Sequence, residues 1–136
     1  MTDQDEKDRR HFERLERRDD IKIKEFRYPE RGSYQKARIV DISGGGLQIE
    51  AKQHFAQDTI LKIEMNFTGW QRYTHGFLKY FGTAAARPLI VLAEVVRCDL
   101  VVPGRKYEIA LRFSGIDESQ REALIRFIKA EIISKH

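Results

Sequence analysis

A small, mainly β barrel closed by a single C-terminal α-helix is the fold this chain predicts, and three observations point to it. Apolar and polar residues alternate with period two in a series of short runs, as half-buried strands do. Pro, Gly and Ser punctuate the chain between several of those runs, and strands at such short intervals are ordinarily antiparallel. Near the end of the chain the apolar period changes from two to that of a helix. The 136 residues are enough for one domain with a real core and hardly for two.

The elements follow in order. Ile21-Lys22-Ile23-Lys24 alternates as a strand, and Pro29, Gly32 and Ser33 mark a turn. Tyr34 to Ile42 reads as the next strand, with Ala37 and Ile39 on one face and Arg38 and Val40 on the other. Gly44 to Gly46 end it in a short hairpin, and Leu47-Gln48-Ile49-Glu50 restarts the alternation. Leu61, Ile63, Met65 and Phe67 alternate with Lys62, Glu64 and Asn66. Leu89 to Val96 is rich in β-formers and nearly all apolar, so a central strand buried on both faces is expected. Tyr107, Ile109, Leu111 and Phe113 give a further strand. Asp117 is placed to cap a helix over 117–134, with Gln120 three residues on and Leu124, Phe127, Ile128 and Ile132 at helical spacing. The stretch 66–88 is an aromatic-rich insertion in which Trp70, Tyr73, Phe77 and Phe81 fit one helical face. Core packing is the plainer reading of that stripe; a partner surface is the other.

Composition narrows the class. Hydrophobic residues at 41% make the chain globular despite 34% charged residues. No apolar run approaches the ~20 residues of a membrane span, and the densely charged start is the opposite of a secretory signal, so the cytoplasm is the expected address. The single cysteine, Cys98, excludes an internal disulfide, and its apolar neighbours suggest a buried, inert thiol. The division expected is a charged, mobile leader over 1–18 and a barrel over 19–136. Between Arg9 and Arg38, Lys and Arg outnumber Asp and Glu, a local field suited to anions.

Several chemistries are missing. The four histidines are scattered without metal-ligand spacing, and no Cys-x-x-Cys is present. The glycine run at Gly44 is not followed by the Lys-Ser/Thr of a P-loop. Ser43 lacks the Gly-x-Ser-x-Gly elbow of a hydrolase. Nothing reads as an enzyme, a metal site or a cofactor site.

What does carry chemistry is a pair of segments. Arg10-x-x-x-Arg14 offers two guanidinium forks on the leader, and Asp41-x-Ser43-x-x-Gly46 offers a carboxylate, a hydroxyl and a glycine-rich turn directly after a strand. Arginine forks match phosphate oxygens and the O6/N7 edge of guanine, and their planes stack on bases. Asp41 can accept from guanine N1–H and N2–H2, with Ser43 beside it, while Gly46 permits a close backbone approach or a positive φ. Alone, Asp41-x-Ser43 would read as a turn bonding its own backbone.

Both motifs, in this order, resemble the signature of the PilZ domain, a bacterial receptor for cyclic di-GMP. The resemblance covers roughly Arg9 to the C-terminus. Ala93-Glu94-Val95-Val96-Arg97 and the strand from Tyr107 to Phe113 are similar to the family's paired late strands. Ala110 stands where many members have glycine, and 66–88 is longer than usual. The resemblance implies a six-stranded antiparallel barrel with a C-terminal helix. It further implies a non-enzymatic cyclic di-GMP receptor whose leader folds across the barrel when ligand arrives, signalling to an effector protein in motility, exopolysaccharide or adhesion control. The implied ligand-binding residues are Arg9, Arg10, Arg14, Asp41, Ser43 and Gly46. An arginine at the position of Arg9 tends in this family to accompany two stacked ligand molecules per chain.

Two further readings stand beside it. Small barrels with basic faces and aromatics can hold single-stranded nucleic acid, but here most aromatics lie in the insertion, far in sequence from the Arg cluster. The other is a ligand-free PilZ module acting as a scaffold. A homo-oligomer is compatible with all three.

Overall fold

A computed structural model describes residues 12–27, 29, 32–73 and 88–134. The strands are β1 (Leu15–Glu16), β2 (Asp20–Glu25), β3 (Gln35–Ile42), β4 (Gly46–Ala51), β5 (Ile60–Met65), β6 (Leu89–Val102) and β7 (Lys106–Gly115). A single 3-10 turn spans Trp70–Tyr73, and helix α1 covers Glu118–Ser134.

Six strands close into an antiparallel ring in the order β3-β2-β5-β6-β7-β4, with β4 pairing back onto β3. The short β1 lies on the same edge of β3 as β2, with Leu15 opposite Ile42 and Glu16 opposite Asp41. Among the described residues the first strand of the sheet is therefore at Leu15, inside the stretch 1–18 expected as the leader. Leu15 is buried, and that apolar anchor is what draws β1 onto the barrel.

Alternation builds the core. Ile23, Ile39, Ile49, Ile63 and Ile109 point inward from five neighbouring strands and are fully buried, each contributing about 1.5–3 kcal/mol of transfer free energy. Helix α1 covers one end of the ring. Its Phe127 stacks on Phe67 with ring centroids 5.5 Å apart, and Tyr73 meets Phe127 edge-on at 6.4 Å. Trp70 is buried and Tyr73 packs against the core, so these two aromatics of the insertion belong to the interior. Their expected companions Phe77 and Phe81 lie outside the described residues.

Strand β6 departs from expectation. Leu89, Val91, Ala93 and Val95 are buried, but Ile90 and Val96 are 45% and 46% exposed. The strand is buried on one face only, because in an antiparallel ring the outward face meets helix or solvent, and here α1 covers an end of the ring. It also continues to Val102, which leaves Cys98 half-buried on a hairpin instead of enclosed. That hairpin turns at Val102-Pro103-Gly104-Arg105, where Gly104 takes φ 69° and Arg105 N–H donates to the Val102 carbonyl at 2.9 Å, the pattern of a type II turn.

Helix α1 starts as its sequence requires. Asp117 Oδ1 accepts from the backbone N–H groups of Ser119 (2.8 Å) and Gln120 (3.3 Å) and from the Ser119 hydroxyl. Those bonds, the hydroxyl foremost, hold the Asp117 carboxyl below its ordinary value of 3.8. A lowered folded pKa contributes stability above the unfolded value that is lost as pH falls through the folded one. Asp117→Ala should therefore lower the melting temperature at neutral pH, and thermal melts should show the deficit closing once the pH drops below the usual carboxylate range.

Candidate functional site

The candidate site is organised by one irregularity in β3. Ala37 and Ile39 point into the barrel, and simple alternation would send Asp41 after them. Instead the β3–β4 register shifts between Ile39 and Asp41: Ile39 faces Ile49, Asp41 faces Gln48, and Val40 is left as an extra residue. This β-bulge changes the phase of the strand. Ile42 now enters the core, while Val40 and Asp41 are both half-buried on the outside.

Asp41 emerges into a crowded electrostatic setting. Burial raises its carboxyl above the ordinary value of 3.8, the charge of Arg14 opposes that rise, and the carboxylates of Glu16 and Glu108 add to it. Arg14 is exposed one residue before β1, the strand that places Glu16 directly opposite Asp41. Gln48 Nε2 donates to Glu108 Oε1 and fixes that neighbour. A groove of about 560 Å³, lined by Glu16, Arg17, Arg18, Val40 and Asp41, opens beside the carboxylate.

The turn after β3 is held by Ser43. Its N–H donates to the Gly46 carbonyl at 2.8 Å, its hydroxyl donates to the same carbonyl at 3.3 Å, and the Gly45 N–H donates to the hydroxyl at 3.2 Å. The hydroxyl is thus engaged with its own loop, as the turn reading of Asp41-x-Ser43 describes. Gly46 does not have a positive φ; it is required because a Cβ there would overlap the Leu111 carbonyl of β7. Gly44 has a different reason. A Cβ on it would lie 2.6 Å from Phe12 Cδ1 and 2.7 Å from Ile125 Cγ1, so the leader's aromatic ring and the helix both rest on a bare backbone.

Arg14, Asp41, Ser43 and Gly46 are therefore brought to one end of the barrel around β1, β3 and the turn that follows it. Arg9 and Arg10 lie outside the described residues. Arg17 and Arg18, both within the basic stretch from Arg9 to Arg38, separate in role. Arg18 is 67% exposed, 3.6 Å from Glu50. Arg17 is only 17% exposed: its Nε meets Asp19 at 2.8 Å, an Nη lies 3.7 Å from Glu131, and its guanidinium sits 5.4 Å and 5.5 Å from the rings of Phe67 and Phe127. Phe12 is one of the few apolar residues of the leader, and its seat on Gly44 and Gly45 joins segments that no local sequence signal connects. The bulge did leave a trace in the sequence, because the buried series Ala37, Ile39, Ile42 switches from odd to even numbers.

Comparison with known proteins decides the family. The PilZ domain model matches residues 8–130, nearly the whole chain. The chain belongs to the PilZ domain family. Solved structures agree on the PilZ fold. The Bacillus subtilis inhibitor of motility MotI, or DgrA, superposes with a TM-score of 0.67 at 18% identity, covering 94% of this chain and 53% of that one. The present chain thus spans about half the length of that protein. The PilZ domain of YcgR from Escherichia coli, solved with c-di-GMP, gives 0.60 at 13% identity over 93% of this chain and 96% of that one. The PilZ domain of CeSA from a cellulose-synthesizing bacterium gives 0.51 at 15%, covering 88% of this chain and 97% of that one. No curated protein matches the chain. Among the described residues of this PilZ domain, no helix is long and apolar enough to cross a membrane.

The half-buried carboxylate makes a pH signature. A carboxyl with a raised folded pKa binds more protons in the native state, so stability falls as pH rises through that interval. Asp41→Asn should accordingly raise the melting temperature at neutral pH, with the gain shrinking towards the ordinary value of 3.8. Melts of both proteins across that range are the check; an Asn variant that is less stable at neutral pH would contradict it.

Proposed function

We propose that this PilZ domain is a non-enzymatic receptor for cyclic di-GMP, read by an effector protein. The observation that carries the reading is the placement of Arg14 and Asp41: β1 lies along β3, so a residue of the RxxxR segment acts electrostatically on the carboxylate of the second motif. Each has a role matched to the ligand. Asp41 accepts from the N1–H and N2–H2 edge of guanine, and Arg14 with Arg10 takes phosphate oxygens or the O6/N7 edge bidentately. Ser43 holds the turn and presents a hydroxyl beside it, and Gly46 lets that turn pack against the Leu111 carbonyl of β7. Arg9 adds the cation that a second, stacked ligand molecule requires, since two molecules bring four phosphate charges together. The family supports this reading, as does the c-di-GMP in the YcgR structure; the likeness to an inhibitor of motility favours motility among the possible outputs.

Titration calorimetry with cyclic di-GMP, and GMP as control, tests ligand and stoichiometry together. We expect two molecules per chain, and Arg9→Leu shifting that towards one. Arg14→Ala and Asp41→Ala should each weaken binding by ~1–3 kcal/mol, the scale of a charge-assisted or bidentate contact. Unchanged affinity in both would remove the proposed site, and a one-to-one endpoint at saturation would remove the role of Arg9.

The signal, on this reading, is an ordering of the leader. Residues before Phe12 are highly charged and poor in apolar anchors, so their ordering subtracts from the gross contact energy of the ligand. Amide exchange should show the residues before Phe12 gaining protection on addition of cyclic di-GMP, beyond that which β1 already gives Leu15 and Glu16. Equal protection with and without it would exclude the switch while leaving binding intact.

A further inference from the structure

The β6–β7 hairpin turns at the end of the barrel away from Asp41 and from the helix seat at Gly44. Strand β3 begins at that end with Gln35, and β4 finishes there at Ala51. The hairpin tip runs Leu100-Val101-Val102-Pro103-Gly104 without a charge, and Arg105-Lys106 follow at once. Leu100, Val101 and Val102 are 55%, 47% and 39% exposed. Apolar groups held in water on a turn gain free energy only when something apolar covers them.

Beside the tip, the outer wall carries a row of lysines. Lys22 stands opposite Lys36 in the β2–β3 pairing. Beyond Arg38 opposite Glu50, the β3–β4 register carries Lys36 to Lys52, and Gln35 Nε2 donating to Gln53 Oε1 at 2.6 Å shows that the register persists. Beyond Ala51 opposite Tyr107, the β4–β7 register brings Lys52 to Lys106, whose partner on β6 is Val102 of the tip. Ala37 and Ala51 are buried on the inner face, so Lys36 and Lys52 point outward, and both are exposed. Like charges directly opposite one another destabilise a sheet, so folding alone does not account for the row. Lys36, Arg38, Lys52, Arg105 and Lys106 share a groove of about 610 Å³ with two carboxylates. Both acids are engaged: Asp20 lies 3.7 Å from Arg38, and Glu50 lies 3.0 Å from Lys106 and 3.6 Å from Arg18. Among the described residues, Lys36, Lys52 and Arg105 have no carboxylate partner.

We propose that this end of the barrel docks on an anionic phospholipid surface, with Leu100, Val101 and Val102 entering the interface and the cations beside them meeting headgroup phosphates. The two halves select the same occupant. The tip supplies apolar area for the headgroup–acyl boundary, as elements that lie on a membrane do. The lysine row adds attraction to anionic headgroups within a Debye length, and lysine stems can lie along apolar surface while their ammonium groups reach phosphate. A soluble phosphate ligand would use the lysines and leave the tip in water. Single-stranded nucleic acid calls for aromatic stacking platforms, and among the described residues none lines the groove. The surface is at the opposite end of β3 from Asp41, so the proposal does not rest on the nucleotide reading.

Co-sedimentation of the full chain with vesicles tests it, using phosphatidylcholine alone and phosphatidylcholine mixed three to one with phosphatidylglycerol. The chain should pellet with the mixed vesicles, far less with phosphatidylcholine alone, and be released by high salt. Lys36→Glu combined with Arg105→Glu should weaken binding by roughly tenfold or more. Arg126→Glu combined with Lys129→Glu makes the same change in net charge at exposed positions of α1 and should leave most of the binding. The first pair should melt no lower than the unmodified chain, because Lys36→Glu sets opposite charges against Lys22 and Lys52. That separates lost binding from lost fold. With Val101→Trp, the new indole emission should shift to the blue on mixed vesicles, over the constant background of the buried Trp70. A chain that ignores mixed vesicles, an α1 pair that loses as much as the Lys36 pair, or an unshifted indole would each overturn the proposal. So would tripolyphosphate or a thymidine oligonucleotide that binds through Lys36 and Arg105 more tightly than the vesicles do.

Discussion

The bulge at Val40 is the constraint on which the candidate site depends. A closed barrel demands that every second residue of β3 enter the core, and Asp41 has the wrong parity to stay out. An ionised carboxylate inside a ring of isoleucines would carry a desolvation penalty of several kcal/mol. One extra residue resolves the conflict: Ile42 fills the interior position and Asp41 is turned to the outer wall. The same shift lets β1 take up the edge of β3 beyond β2, since the two pairings differ in register across Arg17 to Asp19. The placement of the carboxylate and the docking of the arginine segment thus have a common cause.

Around that point the structure holds its leader with few but well-placed contacts. Leu15 supplies the buried apolar anchor, and Phe12 rests on the bare backbone of Gly44 and Gly45, against Ile125. Arg17 is the most embedded of the nearby cations and serves architecture. The exposed Arg14 is the one whose charge reaches Asp41. Within one basic run, burial sorts the arginines into those that hold the fold and those left available to an anion.

Most of the barrel was legible in the sequence because alternation and turn residues are local signals. The helix start at Asp117 and the β3–β4 hairpin at the triple glycine were readable for the same reason. The expectation for Leu89 to Val96 fails because Ile90 and Val96 are apolar yet face outward, and hydropathy alone cannot distinguish a doubly buried strand from one with an exposed apolar face. The candidate residues form a chemical set that can be read from the sequence, whereas the contacts the structure gives them cannot. Gly46 answers to the Leu111 carbonyl across a pairing of strands far apart in sequence, and Ser43 spends its hydroxyl on its own turn. The cradle of Arg17 between Phe67 and Phe127 joins three distant segments, which no single-sequence period reports.

That cradle has a consequence for communication. Arg17 lies three residues beyond Arg14 on the leader and touches Asp19, the aromatic floor of the barrel and Glu131 on the helix. Helix and leader are therefore two readouts of one guanidinium. Coupling free energies between binding events are symmetric by thermodynamic necessity. If the leader takes an anion as proposed, a protein gripping the outer face of α1 would alter its affinity by the same factor as the anion alters the grip. In that sense the helix would be a second handle on the candidate site, reached from the opposite side of a single half-buried charge.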